Sequence, residues 1–194
     1  MLLALLLGLV SSPARTAVDA QPLKTFVSKA YGFTLDYPAA FSVKEKRGKK
    51  NGSLWRVSFY AGANEAEPSF WVEARSLDSL AVLVKPLGTY VYEPKKNEWR
   101  LEPGYDDEST SRLIVSDLTP AKVPAYVSLT SMANYYRDDT VLTDKGYALV
   151  LHYSDADGRS DARDVNDRIA GSFRLVGTKA IKARIVDPPP PPDD

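Results

Sequence analysis

Few side chains in this sequence have the chemistry of catalysis, and they sit in four places. The first is His152, the only histidine in a chain with no cysteine. A hydrolytic triad needs that imidazole beside a positioned serine and an acid, and the Gly-x-Ser-x-Gly turn that presents such a serine is absent. Alternation around His152 instead places it on a strand face with Ala148 and Val150. Without cysteine there is no thiol nucleophile, no disulfide framework and no structural zinc site.

The second place is DADGRSDARD, residues 155–164, with four carboxylates in ten residues. In the register of a calcium-binding loop, Asp155, Asp157 and Gly158 take positions three, five and six, Asp161 takes nine and Asp164 takes twelve. Position one is Tyr153, position twelve lacks the bidentate glutamate, and a strand precedes the loop. These four acids are the weak metal candidates of the chain. The expectation is no metal and no cofactor, with Asp161 and Asp164 offsetting a helix dipole in its first turn. The third place is the aromatic set Tyr90, Tyr92, Trp99 and Tyr105, a surface for stacking on a sugar or peptide, or part of a core. The fourth is a basic cluster, Lys44, Lys46, Arg47, Lys49 and Lys50, offset by Glu45; Glu102, Asp106, Asp107 and Glu108 form an acidic counterpart. Such a basic cluster serves a phosphate surface or an acidic partner. On a hairpin it also blocks edge-to-edge strand pairing, which is the expected role here.

These residues ride on elements that the hydrophobic pattern makes legible. The chain has 194 residues, 44% of them hydrophobic, and 25 basic residues balance 25 acidic ones. That is enough to bury a core and rules out a wholly disordered chain, and a net charge of zero provides no field for nucleic acid. Period-two alternation marks strands at Phe33–Tyr37, from Phe41 and Val43 onward, and at Trp55–Phe59, Phe70–Ala74, Leu113–Val115, Ala125–Leu129 and Tyr147–Tyr153. Asn51-Gly52 and Asp144-Lys145-Gly146 read as hairpin turns. Ala162, Val165, Ile169 and Phe173 share one face of a helix over about 161–173, with Ser160 as N-cap. A second short helix from Asp78, through Leu80 and Leu83, is expected to stop at Pro86. Phe33, Leu35, Trp55, Val57, Phe59, Leu149, Leu151, Val165, Ile169 and Phe173 are expected to share one core.

Leu2–Val10 is an unbroken apolar run closed by Ser11-Ser12-Pro13. As a helix it rises about 14 Å, half a bilayer core, so it reads as a signal peptide cleaved after Ala20 rather than a transmembrane span. Five prolines, Pro188–Pro192, followed by Asp193 and Asp194, read as an extended polyproline tail. The expected organisation is a signal peptide over 1–20, a lead-in over 21–30, one domain over 31–180 and a disordered proline-rich tail over 181–194. The location that follows is extracytoplasmic, either periplasmic or secreted.

Three segments carry a resemblance. YGFTLDYP (31–38) resembles the opening strand of the PsbP-like and Mog1-like families, KGYALVLHY (145–153) their penultimate strand, and IAGSFRL (169–175) their closing helix end. The resemblance spans about Tyr31 to Val176. It implies an α+β fold, an antiparallel sheet flanked by few helices in an α/β/α sandwich, in an exported accessory or protein-binding domain without catalytic residues to transfer. The chain departs from it over 76–104, where Pro86, Tyr90, Tyr92 and Trp99 replace a longer helix and favour an extra hairpin. The leading expectation is therefore a non-enzymatic exported binding or accessory domain whose partner is another exported protein or an envelope component. The alternatives are a carboxylate-based, glycosidase-like hydrolase and a structural envelope protein tethered through its proline tail.

Overall fold

The computed structural model describes residues 21–48, 50–62, 65–84, 88–102, 111–116, 122–131, 135–155 and 160–186. Residues 1–20, the proline run and residues 156–159 of the acidic segment lie outside them. The strands are β1 (Leu23–Ser28), β2 (Phe33–Pro38), β3 (Ser42–Arg47), β4 (Ser53–Tyr60), β5 (Phe70–Ser76), β6 (Ala81–Val84), β7 (Gly88–Glu93), β8 (Glu98–Glu102), β9 (Ser111–Ser116), β10 (Ala125–Ser131), β11 (Tyr135–Leu142), β12 (Tyr147–Asp155), β13 (Arg174–Leu175) and β14 (Arg184–Val186). A single α-helix among the described residues, α1 (Ser160–Ser172), lies between β12 and β13.

The strands form three sheets: β3-β4-β5-β12-β11-β10-β9, β1-β2-β13 and β14-β8-β7-β6. The pairing is antiparallel except between β14 and β8. The large sheet is the middle layer. Its first face carries Trp55, Val57, Phe59, Phe70, Val72, Ala74, Leu149 and Leu151, all buried. Against them pack Phe33 and Leu35 of β2 together with Ile169, Ala170 and Phe173. Phe33 of β2 stacks on Phe173, the residue between α1 and β13, with ring centroids 5.4 Å apart, so the small sheet and the end of the helix close on one another. The expected core forms as one cluster, with Val165 at its partly buried margin. Ser172 secures the helix end: the Asp36 amide donates to its Oγ at 2.8 Å, and that hydroxyl donates to the Ile169 carbonyl at 2.7 Å.

A buried charge pair sits on the same face. Arg137 of β11 grips Asp139 two residues on, with Nε 2.7 Å from Oδ1, and the Tyr153 hydroxyl donates to the other carboxylate oxygen at 3.5 Å. Burial pushes the Asp139 carboxyl up from its ordinary value, and the Arg137 fork opposes that shift. Asp167 of α1 is likewise pushed up by burial and drawn back by Arg137. One guanidinium thus serves a strand and a helix, which is how so polar a strand enters the sheet.

The second face is covered by strands where the resemblance implies a helix. The expected helix at Asp78 is only a 3-10 turn, Leu77–Ser79, followed by the antiparallel meander β6-β7-β8. Alternation at Thr89–Tyr92 and Glu98–Leu101 presents Tyr90, Tyr92, Trp99 and Leu101 to one side, and that pattern outweighs the short Leu80/Leu83 spacing. Two boundaries also move. The expected lead-in over 21–30 contains β1, which pairs with the whole of β2. Residues 181–186, expected as the start of the tail, hold Ile181 against Leu142 and form β14 beside β8.

Ile169 is 2% exposed between helix and sheet. Ile169→Ala is expected to cost about 2–5 kcal/mol of unfolding free energy. Chemical denaturation measures it, and a loss below about 0.5 kcal/mol is incompatible with a docked α1.

Candidate functional site

The four-stranded sheet covers only part of the second face. Its apolar contacts reach Tyr126, Leu142 and Ala148, on β10, β11 and β12. On β4 and β5 the same face carries Arg56, Ser58, Trp71, Glu73 and Arg75, the polar positions between the buried apolar ones. Register aligns these into rows across the sheet. In one row Lys44 stands opposite Ser58, Ser58 opposite Trp71, Trp71 opposite His152 and His152 opposite Asp138. In the next row Lys46 stands opposite Arg56, and Arg56 opposite Glu73.

Side chains interlock along these rows. The His152 ring stacks on Trp71 with centroids 3.6 Å apart and planes at 24°, while its Nδ1 hydrogen-bonds the Asp138 carboxylate. The Arg56 guanidinium lies 5.2 Å from the Trp71 ring centroid and 3.6 Å from the Glu73 carboxylate. Imidazole, indole and guanidinium therefore form a continuous stack, a geometry that fixes a cation over a π face. His152 sits in this stack as a structural partner of Trp71.

Beside Arg56 the face deepens into a cleft of about 440 Å³ lined by Lys46, Arg47, Gly48, Lys50, Asn51, Ser53, Arg56, Glu73 and Arg75. Local structure explains its shape. The β3–β4 hairpin turns at Asn51 and Gly52, both with positive φ (55° and 75°), as the Asn-Gly pair indicates. A bulge between Ser53 and Trp55 swings Leu54 outward, where it is 43% exposed. The turn is fastened to the end of β5: the Ser76 amide donates to the Gly52 carbonyl at 2.8 Å, and Arg75 Nη2 donates to the carbonyls of Asn51 (2.9 Å) and Ser79 (3.3 Å). The lining holds five cations against one carboxylate, Glu73, which is already ion-paired to Arg56. Five cations beside one paired carboxylate give this end of the face an excess of positive charge, which is complementary to an anion.

The residues singled out in the sequence fall elsewhere. Tyr90, Tyr92 and Trp99 are 5%, 3% and 1% exposed and pack into the second core with Tyr126, so they are not an open stacking surface. Trp99 lies 5.3 Å from Tyr92 and 5.1 Å from Tyr126, centroid to centroid. The sheet needs large apolar rings to bridge the two layers, and these are the rings available. Tyr105 and Asp157 lie outside the described residues. Asp155 ends β12, Asp161 lies in the first turn of α1, and Asp164 is exposed one position before Val165. The basic cluster does line the cleft through Lys46, Arg47 and Lys50, whereas Lys49 lies outside the described residues. Arg56, Glu73 and Arg75 are separated from it in sequence and joined to it only by strand pairing. The signal that locates them is the polar half of the β4 and β5 alternation.

The hairpin turn carries the cleft rim, and its glycine has no room to change. A Cβ on Gly52 meets Ser79 Oγ at 1.8 Å, whereas one on Gly146, at a similar φ of 79°, meets nothing within 4 Å. Both alanine variants bear the left-handed backbone cost of about 1–2 kcal/mol. Gly52→Ala is expected to lose more stability than Gly146→Ala in thermal or denaturant unfolding, and equal losses contradict the close approach of turn and 3-10 segment.

No family model matches the chain, and no curated protein matches it. Among solved structures, the solution structure of cyanobacterial PsbP (CyanoP) from Synechocystis sp. PCC 6803 is similar, with 12% sequence identity, 86% of this chain and 98% of that chain covered, and a TM-score of 0.44. At that identity and score no residue role passes from that protein to this chain.

Proposed function

We propose that this chain is an exported, non-catalytic binding or accessory domain of the PsbP/Mog1 type, working through the cationic end of its large sheet. The observation that carries this reading is the cleft between the β3–β4 hairpin and β5, with five cations facing one already paired carboxylate. Like charges are not gathered at a concave surface for stability, because their mutual repulsion opposes folding; an acidic or anionic partner relieves it. Export is supported by the apolar run Leu2–Val10 and its closure at Ser11-Ser12-Pro13. The three motif segments at 31–38, 145–153 and 169–175 support the family type.

The test is affinity recovery of the full chain from the extracytoplasmic fraction of its host, with Lys46→Glu/Lys50→Glu as the charge-reversed comparison. The expected result is a chain beginning at Gln21 that brings down a component at low salt, with the variant failing to do so. Recovery only from the cytoplasm with Leu2–Val10 retained, or the same component on both forms, overturns the reading.

A further inference from the structure

We infer that the cleft takes a small ligand bearing phosphate groups, which rests on and deepens the binding-domain reading above. The first ground is shape. A concavity of about 440 Å³ falls within the roughly 300–1,000 Å³ of small-molecule sites. The second is preorganisation. Arg75 is anchored by two backbone carbonyls, which orient the guanidinium without neutralising it. Arg56 is held over Trp71. Two guanidinium groups fixed before the ligand arrives suit the planar, bidentate recognition of oxyanions, with less side-chain freedom to lose on binding.

The third ground is charge. Among the described residues Lys46, Arg47, Lys50 and Arg75 form no ion pair, and Arg56 has only Glu73, at 3.6 Å. A single carboxylate leaves most of this field unmatched. A phosphate group carries about −1.5 to −2 charge near pH 7, so a ligand with two of them balances the excess. A lipid headgroup offers the same phosphate chemistry from a membrane surface, and binding of free pyrophosphate against retention on vesicles separates the two sources.

Calorimetry on the full chain with inorganic pyrophosphate tests this. The expected result is saturable binding at one site, weakened about tenfold or more by Lys46→Gln/Lys50→Gln. These two side chains are exposed, so the melting temperature of the unliganded variant should stay unchanged. Arg56→Gln, which leaves the Arg75 anchor intact, should weaken binding as well. Absence of saturable pyrophosphate binding up to about 10 mM overturns the inference, as does binding that both variants leave unaltered. Retention on phosphatidylglycerol vesicles, or capture of a poly-glutamate peptide, without pyrophosphate binding also overturns it. Those last two results leave the binding-domain reading standing, so the two failures are distinguishable.

Discussion

Everything in this fold turns on how the chain covers the two faces of β12. That strand lies in the middle of the large sheet, between β5 and β11, and it is apolar on both sides: Leu149, Leu151 and Tyr153 on one, Ala148 and Val150 on the other. An antiparallel sheet can leave one face to water only where that face is polar. The chain therefore builds two covers. One is α1 with β1, β2 and β13; the other is the β6-β7-β8 meander closed by β14. The second cover is narrower than the sheet. It shelters β10 to β12 and leaves β4 and β5 to carry a polar, charged surface at the other end.

That boundary explains why Trp71 and His152 stack where they do. They stand opposite one another at the join between the covered and the charged parts of the face. Aromatic rings with a polar edge suit such a border, because the ring buries apolar area while the edge finds a partner, here Asp138 for His152. Beyond the border, register sets Lys46 beside Arg56, and Arg75 reaches the hairpin through the Asn51 carbonyl, so the site is a product of pairing rather than of any contiguous motif.

Much of the fold is legible in the sequence, and the reasons are physical. Where one face of a strand is buried and the other wet, period two is clean, as at Phe33–Tyr37, Trp55–Phe59 and Phe70–Ala74. The helix is equally clear because Val165, Ile169 and Phe173 meet a single apolar surface. β11 is not legible, because Arg137, Asp138 and Asp139 interrupt its pattern. Only the fold reveals that Arg137 and Asp139 neutralise one another inside while Asp138 faces His152 outside. The short strands β13 and β14 escape for another reason: they have two and three residues, and their partners are distant in sequence. The site was legible by half. The hairpin cations form a visible run, but Arg56, Glu73 and Arg75 look like the ordinary wet side of two strands until β3, β4 and β5 are set side by side. Tyr90, Tyr92 and Trp99 are open in the sequence between a surface and a core, because an alternating aromatic strand reads the same whether it covers a sheet or faces water; the fold places them in the second core.

The large sheet ends in a surface rich in cations, and Trp71, beneath Arg56, is placed to report on it. Of the three tryptophans in the chain, Trp55 and Trp99 are 9% and 1% exposed, while Trp71 is half-buried beneath Arg56. Collisional quenching by iodide and by caesium compares access for an anion and a cation at the same site, and at low ionic strength the local field is least screened. The expected result is that iodide quenches more steeply than caesium, that Trp71→Phe abolishes the quenchable component, and that Lys46→Glu/Lys50→Glu removes the preference for iodide. Caesium quenching as effective as iodide, or a preference that the charge reversal leaves untouched, contradicts the account.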